Sequence, residues 1–333
     1  MTVSRVINRM GNVKEQTLAA VNAAIARLNY APNPAARSLA GAQQIRVGLL
    51  YSNPSAAYLS ELLVGAVEEA SHCHVQLIIE KCPPTGDGLS VARQLVADGV
   101  DGLILPPPMC DSRTLITFLA KSSTPCVVIA SGVPSNSVSS VGIDDFAAAH
   151  DMTTHLLGLG HARIGFIAGN PDQTASARRQ QGYEQALLDR GIKPVEQLIE
   201  PGLFTYRSGL DAAEKLLRLP DAPTAVFASN DDMAAAVVAV AHSQGLAVPS
   251  DLTVCGFDDT LMATTIWPEL TTVRQPIDNM SRAALGMLVA AVKARRAGQQ
   301  IPVHHECMAY KLVRRHSDAA PRRRPPAMRL RQV

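Results

Sequence analysis

No uninterrupted apolar stretch in the 333 residues reaches the roughly 20 that a membrane-spanning helix needs. The start, Met1-Thr2-Val3-Ser4-Arg5-Val6-Ile7-Asn8-Arg9, shows no apolar run followed by a small-residue cleavage site, so no secretory signal is expected. The six cysteines (Cys73, Cys82, Cys110, Cys126, Cys255, Cys307) form no C-x-x-C pair. That argues against a zinc ribbon or redox motif and suits a reducing cytoplasm. A G-x-S-x-G elbow, a Walker P-loop and a G-x-G-x-x-G after the first strand are all missing, which removes the commonest hydrolase and nucleotide-binding signatures. Charged residues are only 18% against 47% hydrophobic, so disorder is excluded for most of the chain. The length allows two or three domains with real cores.

The net charge of +2 conceals a partition. Residues 1–44 carry Arg5, Arg9, Lys14, Arg27 and Arg37 against Glu15, a net +4. Residues 45–310 hold 18 cations and 27 acids, a net −9; residues 311–333 hold eight cations and Asp318, a net +7. An acidic body with a basic head and tail suggests that only the head meets a polyanion.

In the body, short β-rich apolar runs recur at 45–51, 75–80, 102–106, 126–130, 164–168, 224–228 and 253–257. They do not alternate, as strands buried on both faces should not. Amphipathic segments of helical period lie between them, for example Leu62, Leu63, Ala66, Val67 and Ala70. Repeated β-α units predict doubly wound parallel sheets. Two sets, roughly 45–145 and 146–275, predict two α/β lobes with a ligand cleft beyond the carboxyl ends of the strands. Those ends are polar: Tyr51-Ser52-Asn53-Pro54, Ser131-Gly132, Gly169-Asn170, Ser229-Asn230-Asp231-Asp232 and Phe257-Asp258-Asp259. Each alone reads as a helix cap; their recurrence at one end favours a polar small-molecule site. His304-His305-Glu306-Cys307 reads as a mostly solvated strand end, because neighbours on a strand face opposite ways. Of Arg178 and Arg179, about 100° apart on a helix, one is expected to face the cleft.

The head opens with a short helix over Thr2–Asn8 and a second at about 15–28, with Leu18, Val21, Ile25 and Leu28 on one face. Pro34 suits the first turn of a short helix capped by Asn33, one too short to be stable without packing or a ligand.

T-V-S-R-V-I-N, then A-R-L-N-Y-A-P-N-P-A-A-R-S-L-A, strongly resemble the DNA-binding head and hinge of the lactose-repressor (LacI/GalR) family. The resemblance continues through H-L-L-G-L-G-H-A-R-I-G-F-I-A-G, P-T-A-V-F-A-S-N-D-D-M-A, D-L-T-V-C-G-F-D-D-T and P-E-L-T-T-V-R-Q-P, about residues 2–313. It implies a recognition helix at Thr2–Arg9, with Arg5 reading guanine and Thr2, Ser4 and Asn8 contacting phosphate or bases. It also implies that the chain begins inside the helix-turn-helix, after its first helix and turn. Asn33, Ala36, Arg37 and Leu39 match hinge positions at the minor groove, where Leu39 pries open a base step. For the cleft it implies Arg179, Asn230 and Asp258 as effector contacts, Phe204 packing on a ligand face, Gln275 at the lobe crossover, and Tyr58 and Trp267 as liners.

Three departures stand out. Lys14 replaces a usual capping Ser, worth about 1 kcal/mol, and Leu18 a usual Arg. Ala130-Ser131 stands where some relatives place an Asp after the fourth strand. Residues 316–333 pass the family's usual end, are rich in Pro and Arg without heptads, and are expected to be disordered.

The sequence therefore predicts a partial helix-turn-helix head (1–31), a hinge helix and linker (32–44), and a two-lobed, periplasmic-binding-protein-like body (45–315). Lobe crossovers are expected near 144, 275 and 298, and a basic tail follows (316–333). The expected function is a cytoplasmic, homodimeric transcriptional regulator, a repressor, binding operator DNA under control of a sugar or glycoside. No cofactor, metal or membrane is called for. Two rivals remain. A periplasmic-type sugar-binding protein would carry no N-P-A-A-R-S-L-A hinge. A sugar hydrolase would need two acids flanking a bond, and Asp258 and Asp259 are adjacent.

Overall fold

The computed structural model describes Val6 and residues 14–27, 44–83, 88–299 and 301–322. The chain divides into two compact units, Met1–Gln44 and Ile45–Val333. In the first, Val6 is helical and buried. Helix α1 (Glu15–Arg27) begins where the Lys14 carbonyl accepts the Leu18 N–H at 3.0 Å. Glu15 in its first turn and Arg27 in its last suit the helix dipole. Its half-buried face runs through Thr17, Val21, Ala24 and Ile25, whereas Leu18 is exposed, so the apolar face is rotated from the expected one. The candidate DNA contacts Thr2, Ser4, Arg5, Asn8, Asn33, Ala36, Arg37 and Leu39 lie outside the described residues.

The second unit has two sheets. In chain order, lobe 1 begins with β1 (Arg46–Tyr51), α2 (Ala56–His72), β2 (Gln76–Lys81), α3 (Leu89–Ala97), β3 (Gly102–Leu105), α4 (Arg113–Lys121), β4 (Cys126–Ile129) and β5 (Ser139–Gly142). Lobe 2 follows: α5 (Asp145–Gly158), β6 (Ile164–Ile167), α6 (Thr174–Asp189), β7 (Ile199–Glu200), α7 (Tyr206–Leu217), β8 (Ala225–Ala228), α8 (Asp231–Ser243), β9 (Thr253–Asp258), α9 (Leu261–Thr265) and β10 (Thr271–Arg274). The chain then returns to lobe 1 with α10 (Ile277–Arg296) and β11 (His305–Cys307), and ends in lobe 2 with β12 (Lys311–Val313). The strand orders are β11-β5-β4-β3-β1-β2 and β12-β10-β9-β8-β6-β7. All pairs are parallel except β10 with β12. Strands β3, β6, β8 and β9 are buried along their whole length, the reason their sequences are continuously apolar rather than alternating.

Two boundaries differ from expectation. The third crossover lies at 308–310, not near Gly298. After α10 the chain still owes lobe 1 an edge strand, and β11 pairs with β5 before the chain leaves. The body also continues past residue 315. Ser317 and Asp318 are buried. The Ser317 hydroxyl accepts from Thr271 N at 2.8 Å, and the Ser317 carbonyl accepts from Val254 N at 2.9 Å. Asp318 accepts from the Thr271 hydroxyl at 2.6 Å and pairs with His155 at 2.9 Å. Its composition read as tail, but this segment closes unpaired groups beside β9 and β10. Residues 323–333 lie outside the described residues.

Helices α5 and α6 pack at the shortest distance glycine permits. A Cβ on Gly182 would run into the backbone carbonyl of Phe146, which no rotamer change can move aside. Gly182→Ala is therefore expected to cost about 1–3 kcal/mol by overpacking, read as a lowered urea midpoint. Among the described residues no helix is long and apolar enough to cross a membrane.

Candidate binding site between the lobes

The strand order places a switch point between β1 and β3 in lobe 1 and between β6 and β8 in lobe 2. A cleft opens where the two meet. It is lined by Asn53, Ser55, Tyr58, Pro107 and Ala130 from lobe 1, and by Gln173, Ala175, Arg179, Phe204, Asn230 and Asp258 from lobe 2. Ala130, Phe204 and Asp258 hold φ of +57°, +59° and +110°, conformations costly for side-chain-bearing residues. Such strain gathers where the backbone must aim groups at a ligand.

Arg179 organises the floor. Its Nε donates to Asp145 Oδ1 at 2.7 Å and its Nη1 to the Ser229 carbonyl at 2.6 Å. Nη1 also stands 3.7 Å from Asp258 Oδ1, and the guanidinium carbon lies 3.6 Å from the Phe257 ring centroid. Arg178 is the outward neighbour, over Phe146. Gln275 Nε2 donates to Asp258 Oδ1 at 2.6 Å. Asn230 does two jobs: its Oδ1 caps α8 through Met233 N at 3.0 Å, and its Nδ2 donates to the Phe204 carbonyl at 3.1 Å. Burial lifts Asp258 to about 7, against the pull of Arg179 and Gln275. Burial likewise raises Asp145, which Arg179 draws back down. Among the described residues, buried Tyr58 Oη and Gln275 Oε1 have no hydrogen-bond partner within the protein. Unpaired polar atoms beside a raised carboxyl and a fixed guanidinium suit a ligand rich in hydroxyls.

The N-terminal residues decide the family. Residues 1–33 match the model of bacterial regulatory proteins of the lacI family, and residues 153–317 match the periplasmic binding protein-like domain. Catabolite control protein A of Priestia megaterium is 35% identical over 289 residues, 86% of this chain and 87% of its own. The chain belongs to the LacI family. Two solved structures of that family superpose over nearly the whole chain. A complex of the transcriptional regulator CelR with cellobiose shares 32% identity over 95% of both chains, TM-score 0.75. The Lac repressor dimer bound to operator and the anti-inducer ONPF shares 26% over 96% of this chain and 95% of its own, TM-score 0.78. The LacI-family chain described here is accordingly a DNA-binding transcriptional regulator with a two-lobed, periplasmic-binding-protein-like body.

Of the sequence-predicted cleft residues, Tyr58, Arg179, Phe204, Asn230 and Asp258 converge on one pocket, and Gln275 stands behind Asp258. Trp267 does not line it. It is 74% exposed, its ring centroid 5.6 Å from that of His316. Asn53, Ser55, Gln173 and Asp145 were missed as site residues. Asn53 lies in a polar strand end already noted; Gln173 and Asp145 carry no comparable signal.

Proposed function

We propose that this LacI-family chain is a cytoplasmic, homodimeric repressor whose operator affinity is set by a sugar or glycoside in the interlobe cleft. In this reading residues 1–31 form the head, 32–44 the hinge, and the body begins at 45. The observation that carries it is that unpartnered Tyr58 Oη, Asp258 and Arg179 line one cleft. Asp258 accepts hydroxyl protons, Arg179 donates, Asn230 does both, and Phe204 supports an apolar ring face. The relatives support it, one bound to cellobiose and one a dimer on operator. Asp259 turns away to Arg274 and Arg315, so the adjacent Asp258 and Asp259 do not face one bond from two sides as a glycosidase's acids would. An effector that binds one lobe arrangement better shifts operator affinity by about 1–3 kcal/mol.

The test is a thermal-shift screen of mono- and disaccharides, then Asp258→Asn. The best ligand should lose about tenfold or more in affinity, as loss of a charged acceptor predicts; unchanged affinity would overturn the site. The same variant has a second signature. A carboxyl raised in the folded state contributes stability that is present near pH 4 and lost as pH climbs to about 7. Asn does not titrate. Asp258→Asn should therefore gain stability over the parent between pH 4 and 7.5, on the order of 2–4 kcal/mol, in urea unfolding.

A further inference from the structure

The two lobes are joined beside the cleft by a carboxylate that lies outside its lining. Asp111 ends a 3-10 turn (Met109–Asp111) after β3, in lobe 1. Its Oδ2 accepts the backbone N–H of Thr174 at 2.8 Å, and its Oδ1 accepts the Thr174 hydroxyl at 2.8 Å. Thr174 is the first residue of α6, in lobe 2. Gly132 N, in lobe 1, donates to Thr174 Oγ1 at 2.8 Å. Within lobe 1, the Ser131 hydroxyl donates to Asp111 Oδ1 at 2.7 Å and fixes the carboxylate.

Helix α6, like α3, α9 and α10, takes no capping bond from its own N-cap residue. Ser55, Ser112, Asp144, Thr205 and Asn230 each cap their own helix through a side-chain oxygen. Gln173, at the same position of α6, makes no capping bond. Asp111 supplies the missing acceptor from the opposite lobe, where it also meets the positive end of the helix dipole. Gly132 makes the approach possible, since a Cβ there would stand 2.6 Å from Ala175 N. Helix α6 carries Arg179, and Gln173 and Ala175 at its start line the cleft. Across the same cleft, Ser55 of lobe 1 draws down the Asp232 carboxyl of lobe 2 against the burial that raises it.

We propose that Asp111 is an interlobe clamp: by capping α6 from the opposite lobe it sets the fraction of molecules whose cleft is closed. Opening the lobes strips α6 of the cap that Asp111 supplies and takes both Thr174 donors from it. A ligand selecting the closed form then binds in proportion to that fraction. This last consequence rests on the cleft being the effector site; the clamp does not.

The experiment is hydrogen–deuterium exchange on the full chain without ligand, comparing the parent with Asp111→Ala. Peptides over 172–178 report the cap, peptides over 130–136 report Gly132 N–H on the facing lobe, and peptides over 236–242, in the middle of α8 and outside the cleft lining, serve as reference. Loss of the clamp should speed exchange about fivefold at both of the first two and leave the third unchanged. Exchange that stays slow at both overturns the proposal. Faster exchange at 172–178 alone overturns it too, since Asp111 would then cap α6 without holding the lobes. If Asp111→Ala fails to fold, Asp111→Asn keeps one oxygen and should move the same two peptides in the same direction by less. These readouts need no effector, so their failure is separate from failure of the sugar reading.

Discussion

Arg179→Met should cost the body about 3–5 kcal/mol at pH 8 and clearly less at pH 5. Arg179 is 5% exposed and faces two carboxylates, Asp145 and Asp258, together with the Ser229 carbonyl. Methionine fills much of the volume over Phe257 but leaves both acids buried without a cation. Burial already raises both carboxyls, and Arg179 is what lowers them. Without it they bind protons more tightly in the folded state. A raised folded-state carboxyl stabilises at low pH and loses that contribution as pH rises, so the penalty must grow with pH. Urea unfolding at both pH values measures it. An equal penalty at pH 5 and 8 would mean that lost packing, not stranded charge, dominates. Arg179→Lys should recover only part, because an ammonium cannot span Asp145 and the Ser229 carbonyl with one planar fork.

The second large effect is expected on operator binding. Val64 and Val67 stand three residues apart on α2, 50% and 53% exposed, and so form one apolar stripe. The apolar face of α10, by contrast, is core: Ile277, Met280, Leu285, Leu288 and Val292 are buried. A second copy is the proposed cover for the α2 stripe. Val64→Glu with Val67→Glu should yield monomers at micromolar concentration by light scattering. Operator affinity in gel shifts should then fall roughly 10²–10⁴-fold, the loss of linked half-site binding. A variant that remains dimeric would move the interface elsewhere on the body.

Apart from β2, an edge strand, the strands that were legible are those whose two faces meet apolar neighbours. Strand β5 reads Ser-Ser-Val-Gly and β10 Thr-Thr-Val-Arg. Their buried hydroxyls are paired through distant partners: Ser140 with His305, Thr271 with Asp318, and Thr272 with Asp231. A local pattern cannot distinguish such a residue from a loop. Strands β7, β11 and β12 are only two or three residues long. In the site, Arg179, Asn230 and Asp258 were legible because strand ends and family motif agreed. Asn230 shows that cap and ligand group need not compete, since its oxygen and nitrogen serve different partners. Asp111 was not legible. Its meaning arises only when two lobes bring it to a helix start 63 residues away.

The route of the chain also sets an order of events during synthesis. The first five strands of lobe 1 leave the ribosome long before α10, which packs on β3, β4 and β5, and before β11, whose His305 meets Ser140 across 165 residues. Lobe 2, by contrast, is nearly continuous from Asp145 to Arg274. It can close over short loops while lobe 1 still waits for a long one, and loop closure must precede the contacts that reward it. Lobe 1, begun before lobe 2, is thus completed by residues translated after it. A nascent chain halted after Arg274 would hold a nearly finished second lobe beside a first lobe with an uncovered sheet face, the kind of surface that chaperones bind.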